Sequence, residues 1–258
     1  MSDATFADRH DAAADAGRAV LLADRLRAGY LPGVDILNDC SLRLDEGELV
    51  GIIGPNGAGK STLIKALFGL VEIRDGVVLL RGDAITNLPA HALVNRGIGY
   101  VPQVANVFAS LTVLENLEMG LYLKPKTWEQ RFTFVTDLFP LLSDRRAQRA
   151  GSLSGGERQM VAMGRALMMD PTVLFLDEPS AGLSPANQDE VFERIAEVNR
   201  EAGISVVMVE QNARRCLEIA DRGYVLDQGR NAHEGTGHDL LEDPKVIELY
   251  LGTLAQRD

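Results

Sequence analysis

Gly54-Pro55-Asn56-Gly57-Ala58-Gly59-Lys60-Ser61, continued by Thr62, has the spacing G-x-x-x-x-G-K-[ST]. Its flanks decide what that spacing means. Leu49-Val50-Gly51-Ile52-Ile53 ahead of it is an apolar run of strand length, and Leu63-Ile64-Lys65-Ala66-Leu67 behind it opens a helix. A strand, a glycine-rich loop and a helix in that order make a phosphate loop. Backbone N–H groups wrap a polyphosphate only where the chain bends tightly and no side chain shields the amides, which Gly54, Gly57 and Gly59 allow. The helix adds the positive end of its dipole, Lys60 reaches the terminal phosphates, and the Ser61 hydroxyl is placed to ligate Mg²⁺.

The whole chain sets the bounds. With 258 residues, 46% of them hydrophobic and 24% charged, it is globular in composition and long enough for one large domain or a core with a smaller lobe. No apolar run approaches the ~18 residues of a membrane span, so a membrane role requires a partner. The formal net charge of −11, with no cluster of Lys and Arg, argues against a nucleic-acid partner. Cys40 and Cys216 lack metal-ligand spacing and are expected to be reduced and buried. Residues 1–19 are Ala- and Asp-rich without the apolar centre of a secretory signal, so a disordered head and a cytosolic location are expected.

Reading outward from the loop, Val20 to Arg27 is expected to be a strand, followed by a turn over Ala28 to Gly33. Tyr30 in that turn either stacks on a base ring or packs at the strand end. Cys40, Leu42 and Leu44 alternate with polar neighbours, the pattern of a half-buried strand. Strands are also expected over Asp75–Asp83 and Gly97–Gln103, with a short helix over Pro89–Asn95 between them. Gln103 either ends its strand and nothing more, or offers its amide oxygen to a metal or an attacking water.

From Val104 to about Ala150 the period becomes helical. Thr112 and Glu115 form a capping box, and Thr127 to Leu142 is expected to be one helix with Trp128, Phe132, Val135 and Phe139 on a core-facing stripe. This reads as a helical lobe set into an α/β core, its exposed face a place for a partner. Leu153-Ser154-Gly155-Gly156-Glu157-Arg158-Gln159 then leads into the apolar-periodic Met160 to Met169. Ser154 is an N-cap there, and the glycines leave amides open to a second phosphate. Val173-Leu174-Phe175-Leu176 runs into Asp177-Glu178, two acids at the tip of a buried strand, costly unless they serve a cation or a proton. Asn187–Glu201 is an amphipathic helix, Ile204–Val209 another apolar strand ending at Glu210-Gln211-Asn212, and Gly223–Arg230 a closing hairpin.

Together these segments resemble the nucleotide-binding subunits of ABC transporters. Gly54–Thr62 stands as Walker A, Leu153–Gln159 as the LSGGQ signature with Glu157 in the usual Gln place, and Val173–Glu178 as Walker B. The resemblance covers about residues 20–254, leaving 255–258 as a tail, and implies an α/β P-loop NTPase fold. In that fold a RecA-like parallel core carries an antiparallel β subdomain and a helical subdomain inserted at about 104–165. It further implies ATP as substrate, Mg²⁺ as cofactor, and Tyr30, Gly54, Pro55, Asn56, Gly57, Ala58, Gly59, Lys60, Ser61, Thr62, Ser154, Gly155, Gly156 and Glu157 as nucleotide-binding residues. Glu178, Gln103 and Gln211 take the catalytic positions, Ser61, Gln103 and Asp177 the metal, and Ser180–Pro185 the D-loop. Cassettes of this family pair head to tail, so a second ABC ATPase, identical or related, is implied. Integral-membrane permeases and, through them, an extracytoplasmic solute receptor are implied too, at the cytoplasmic face of the inner membrane. Two positions depart from the family pattern: Gln211 stands for the switch histidine and Ser184 for a frequent D-loop Asp. Gln211 can donate a hydrogen bond but cannot carry a proton. The stretches Leu111–Gly120, Glu210–Ala213, Ala220–Leu226 and Tyr250–Gly252 are similar to LivF-type cassettes of high-affinity branched-chain amino acid importers, with urea and amide importer cassettes close behind.

Overall fold

Five parallel strands aim their C-terminal ends at one edge of a sheet, and the phosphate loop, Gln103, Asp177, Glu178 and Gln211 all end or follow strands at that edge. A computed structural model describes residues 19–104, 106–121 and 125–251 of the chain. The expected head, apart from Ala19, and the tail lie outside the described residues, as do Ala105 in the lobe and Gly252. The chain opens with β1 (Ala19–Ala28), β2 (Leu37–Asp45) and β3 (Leu49–Ile53), followed by helix α1 (Lys60–Leu67). Next come β4 (Ile73–Leu80), β5 (Asp83–Ala84), α2 (Ala90–Asn95) and β6 (Ile98–Val101). A helical run follows: α3 (Val113–Gly120), α4 (Trp128–Leu138), α5 (Pro140–Asp144) and α6 (Gly155–Leu167). The remainder is β7 (Val173–Asp177), α7 (Pro185–Ala202), β8 (Ser205–Val209), α8 (Ala213–Ile219), β9 (Arg222–Asp227), β10 (Arg230–Thr236) and two short helices, α9 (Gly237–Glu242) and α10 (Pro244–Val246).

The larger sheet has the order β10-β9-β3-β8-β7-β6, in which β9, β3, β8, β7 and β6 are parallel and β10 is antiparallel. The smaller sheet, β2-β1-β4-β5, is wholly antiparallel. Strands of the parallel sheet are buried on both faces, so their sequences are continuously apolar and successive residues enter different cores. Leu174, Leu176, Val206 and Met208 join the helices α3 to α8 on one face. Phe175, Val207, Val209 and Ile52 join α1 and the antiparallel sheet on the other. Asn231 of β10 ties the two sheets, accepting from the Ser41 N–H at 2.8 Å and donating to its carbonyl at 2.9 Å. This is the α/β arrangement the resemblance implies, a parallel core with an antiparallel β subdomain and an inserted helical subdomain. Cys40 and Cys216 are buried and free, as expected.

Three expectations need correcting, each where the local chemistry overrides the apolar period. The helix expected over Thr127–Leu142 is broken: Phe139 sits at φ −129°, ψ 76°, and Pro140 starts α5. The proline ring disfavours helical backbone at the residue before it. The stripe still faces inward, with Val135 and Phe139 buried and Trp128 and Phe132 packed against the same core. The strand expected over Asp75–Asp83 begins earlier and ends at Leu80, because Arg81 and Gly82 turn the chain with φ of 49° and 86°. The strand expected to reach Gln103 stops at Val101, since Pro102 has no N–H to continue the ladder.

Candidate functional site

The loop between β3 and α1 is shaped by backbone that only glycine tolerates. Gly54 has φ 145°, and a Cβ there would lie 2.1 Å from the Leu226 carbonyl oxygen. Gly59 is the N-cap of α1 at φ 100° and gives the helix no side-chain cap. The first N–H groups of α1 are thereby left for a ligand, whereas Thr112 and Ser154 cap their own helices. Lys60 is buried and folds back over the loop, its ammonium donating to the Gly54 carbonyl at 2.8 Å and the Pro55 carbonyl at 3.1 Å. Burial pulls its pKa below the usual lysine value, against the pull of the carboxylates of Glu178, Glu210 and Asp177.

Asp177 ends β7 and is 2% exposed. Its Oδ2 accepts from the Tyr100 hydroxyl at 3.2 Å and lies 3.9 Å from the Lys65 ammonium. Its Oδ1 is buried without a hydrogen-bond partner among the described residues. An orphaned carboxylate oxygen beside a phosphate loop fits a hard cation, and the hydroxyl of Ser61, at the start of α1, is of the same donor class. Glu178 follows in the left-handed region at φ 48°, a strain of about 1–2 kcal/mol for a residue with a Cβ. Its N–H donates to the Val209 carbonyl at 2.8 Å, which fixes that kink. Gln103 is exposed, and its amide donates to Glu178 Oε2 at 2.6 Å, so the two residues from neighbouring strand ends meet. Gln211, exposed at the end of β8, donates from Nε2 to Asn56 Oδ1 at 2.9 Å, and thus touches the phosphate loop.

Tyr30 is 56% exposed, so its ring is not buried at the strand end. It lines a cleft of about 600 Å³ together with Gly29, Pro32, Gly33, Leu70 and Arg74. The turn is clamped by Arg74, whose guanidinium donates to the Gly29, Leu31 and Val34 carbonyls at 3.0, 2.5 and 3.0 Å and pairs with Asp35. Ser154, Gly155 and Gly156 open α6, where a full capping box forms. The Ser154 side chain accepts from the Glu157 N–H at 3.2 Å, and Glu157 Oε2 accepts from the Ser154 N–H at 2.7 Å. That backbone bond holds the Glu157 carboxyl below the usual glutamate range. Glu157 is therefore occupied within its own helix end.

Three residues at the site escaped the sequence reading. Arg74 and Tyr100 act across 40 and 77 positions and leave no local pattern. Glu210 could have been found: it is an acid at the tip of an apolar strand, the same signal that marked Asp177. It is 1% exposed, and burial pushes its carboxyl up despite bonds from the Ser180, Gln211 and Asn212 N–H groups.

A glycine-framed phosphate loop, a buried acid with an unfilled oxygen and a strained glutamate on adjoining strand ends define a nucleoside-triphosphatase. The separate capped Ser-Gly-Gly helix start sets it among the cassettes. Residues 37–181 match the family model described as ABC transporter, and the chain belongs to that family as one of its ATP-hydrolysing cassettes. It is 45% identical over 224 residues to the high-affinity branched-chain amino acid transport ATP-binding protein BraG of Pseudomonas aeruginosa, covering 86% of this chain and 96% of BraG. It is 44% identical over 229 residues to the probable branched-chain amino acid transport ATP-binding protein LivF of Archaeoglobus fulgidus, covering 88% of this chain and 97% of that one. Among solved structures, an ATP-binding cassette of an ABC transporter in its ADP conformation superposes with a TM-score of 0.81 at 30% identity, covering 91% and 99% of the two chains.

Proposed function

We propose that this chain powers import of branched-chain amino acids through membrane permeases, at the cytoplasmic face of the inner membrane, as one of a pair of cassettes. The observation that carries the substrate class is the similarity, over nearly the whole chain, to two cassettes named for branched-chain amino acid transport. Among the described residues no helix is long and apolar enough to cross a membrane, so the solute path belongs to other subunits.

In this reading Tyr30 stacks on adenine, and Gly54, Pro55, Asn56, Gly57, Ala58, Gly59, Ser61 and Thr62 surround the phosphates with Lys60. Lys60 exchanges its two loop carbonyls for terminal phosphate oxygens. Glu178 orients the attacking water and takes its proton, with Gln103 holding the carboxylate, and Gln211 donates to the γ-phosphate in place of Asn56. Asp177, Ser61 and Gln103 are the residues that would hold Mg²⁺, which when bound offsets charge on the triphosphate. Ser154, Gly155 and Gly156 close the site from the partner cassette, and Glu157 keeps their turn in shape. A permease segment is accommodated by the apolar groove of about 460 Å³ between the helical layer and the core, where Phe68, Tyr100, Phe108, Met119 and Arg165 form the walls.

The test is phosphate release by the complex reconstituted in vesicles with its permeases and receptor. Leucine, isoleucine or valine on the receptor is expected to stimulate turnover several-fold. Stimulation by urea or short-chain amides alone would overturn the substrate assignment.

A further inference from the structure

β7 and β8 lie side by side with Asp177 paired to Val209, so the loops that leave them, 178–184 and 210–212, run next to each other. The first carries Glu178 and the second Gln211, and a single buried side chain holds both. Glu210 Oε1 accepts from the Ser180 N–H at 2.8 Å, while Oε2 accepts from the Gln211 N–H at 3.0 Å and the Asn212 N–H at 3.4 Å. A ring of amides completes the link. The Asn212 amide donates to Gln188 Oε1 at 3.4 Å, and Gln188 of α7 donates to the Leu183 carbonyl at 3.2 Å and reaches the Ser180 carbonyl at 3.5 Å.

We propose that Glu210 is a positioning residue: its two oxygens fasten the Glu178 loop and the Gln211 loop into one body, so that both side chains meet the same phosphate in register. At 1% exposure it cannot reach the substrate itself. A strand end that needed only packing would hold an apolar residue at less cost, since a carboxylate taken from water is destabilising unless donors replace the water. The donors that do so come from both loops, and only a side chain with two acceptor oxygens serves both at once. Glu178 is also bent into the left-handed region, a conformation that persists only where its surroundings enforce it.

The inference rests on the reading of Glu178 and Gln211 as acting groups, so the experiment includes both. In the full-length chain, Glu210→Gln replaces one acceptor with a donor that faces N–H groups. It is expected to lower kcat for ATP at least tenfold while KM and the directly titrated affinity for labelled ATP stay within about threefold. In a Gln211→Ala background the same change is expected to cost less than threefold further, because the register it guards has already lost one member. Gln188→Leu, at the rim of the ring, is expected to lower kcat three- to tenfold with the same unchanged affinity, and it serves alone should the Glu210 variant not fold. Wild-type kcat in either variant, loss of affinity in proportion to kcat, or multiplicative effects of Glu210→Gln and Gln211→Ala would each overturn the proposal. Unchanged turnover in Glu178→Gln and Gln211→Ala would instead overturn the reading of the site beneath it.

Discussion

Replacing Asp177 with Asn is expected to stabilise the nucleotide-free chain while removing the stabilisation that nucleotide confers. The carboxylate is 2% exposed, yet it has one hydroxyl donor at 3.2 Å, one ammonium at 3.9 Å, and an Oδ1 with no partner among the described residues. A buried charge compensated that thinly costs the empty chain about 1–3 kcal/mol relative to a neutral group of the same shape. The amide keeps an oxygen for the Tyr100 hydroxyl, so little else is lost. At about 2–4 °C per kcal/mol for a chain of this size, melting in EDTA without nucleotide should rise by about 2–12 °C. With magnesium and a non-hydrolysable ATP analogue at a hundred times its dissociation constant, the wild type should gain about 2.7 kcal/mol, or about 5–11 °C. The variant should gain far less, so its lead over the wild type should shrink or reverse on adding ligand. A variant that melts below the wild type without nucleotide, or that gains as much with it, would refute the argument that Asp177 is held strained for a cation.

Glu178→Gln should keep its affinity for ATP and lose turnover by orders of magnitude, read by equilibrium titration and steady-state phosphate release; wild-type turnover would remove Glu178 from the role of base. Lys60→Ala should abolish nucleotide binding while leaving the fold intact, because the lysine's hydrogen bonds among the described residues go to two loop carbonyls and to no element of the core; labelled-ATP titration and circular dichroism together check both halves. Ser154→Ala should cost about 1 kcal/mol by unmaking one arm of the α6 capping box, seen as a lower urea midpoint. The other arm is pH-dependent. The folded-state pKa of Glu157 is depressed below 4.5, so its contribution is fully present above that value and lost as pH falls through the folded-state pKa. Acid titration of the urea midpoint in wild type and Glu157→Gln should converge at low pH, and parallel curves would contradict the assignment.

The elements that were legible in the sequence are those whose cause is local. The phosphate loop needs glycines at fixed spacing between a strand and a helix, and the Thr112/Glu115 box is satisfied within four residues. The apolar runs before Asp177 and Glu210 had to be interior strands, because no other element buries both faces over five residues. What escaped depends on approach across the chain. The Arg74 clamp on the Tyr30 turn exists only once β1 and β4 are side by side in one sheet, and the Tyr100 hydroxyl on Asp177 and the junction made by Glu210 only once β6, β7 and β8 are side by side in the other. Helix limits failed for a different reason: the period that ran through Phe139 is a statement about faces, and Pro140 acts on the backbone irrespective of which face it occupies.

The central claim, a triphosphate held between the phosphate loop of one cassette and the Ser154 helix start of another, is tested most directly by disulfide crosslinking. Cysteines placed at Asn56 and Ser154, both exposed, in a Glu178→Gln chain should join two chains into a covalent dimer only when ATP and magnesium are present. The native Cys40 and Cys216 are fully buried and stay out of the reaction. Crosslinks that form only within a single chain, or that join two chains equally well without ATP and magnesium, would contradict the account.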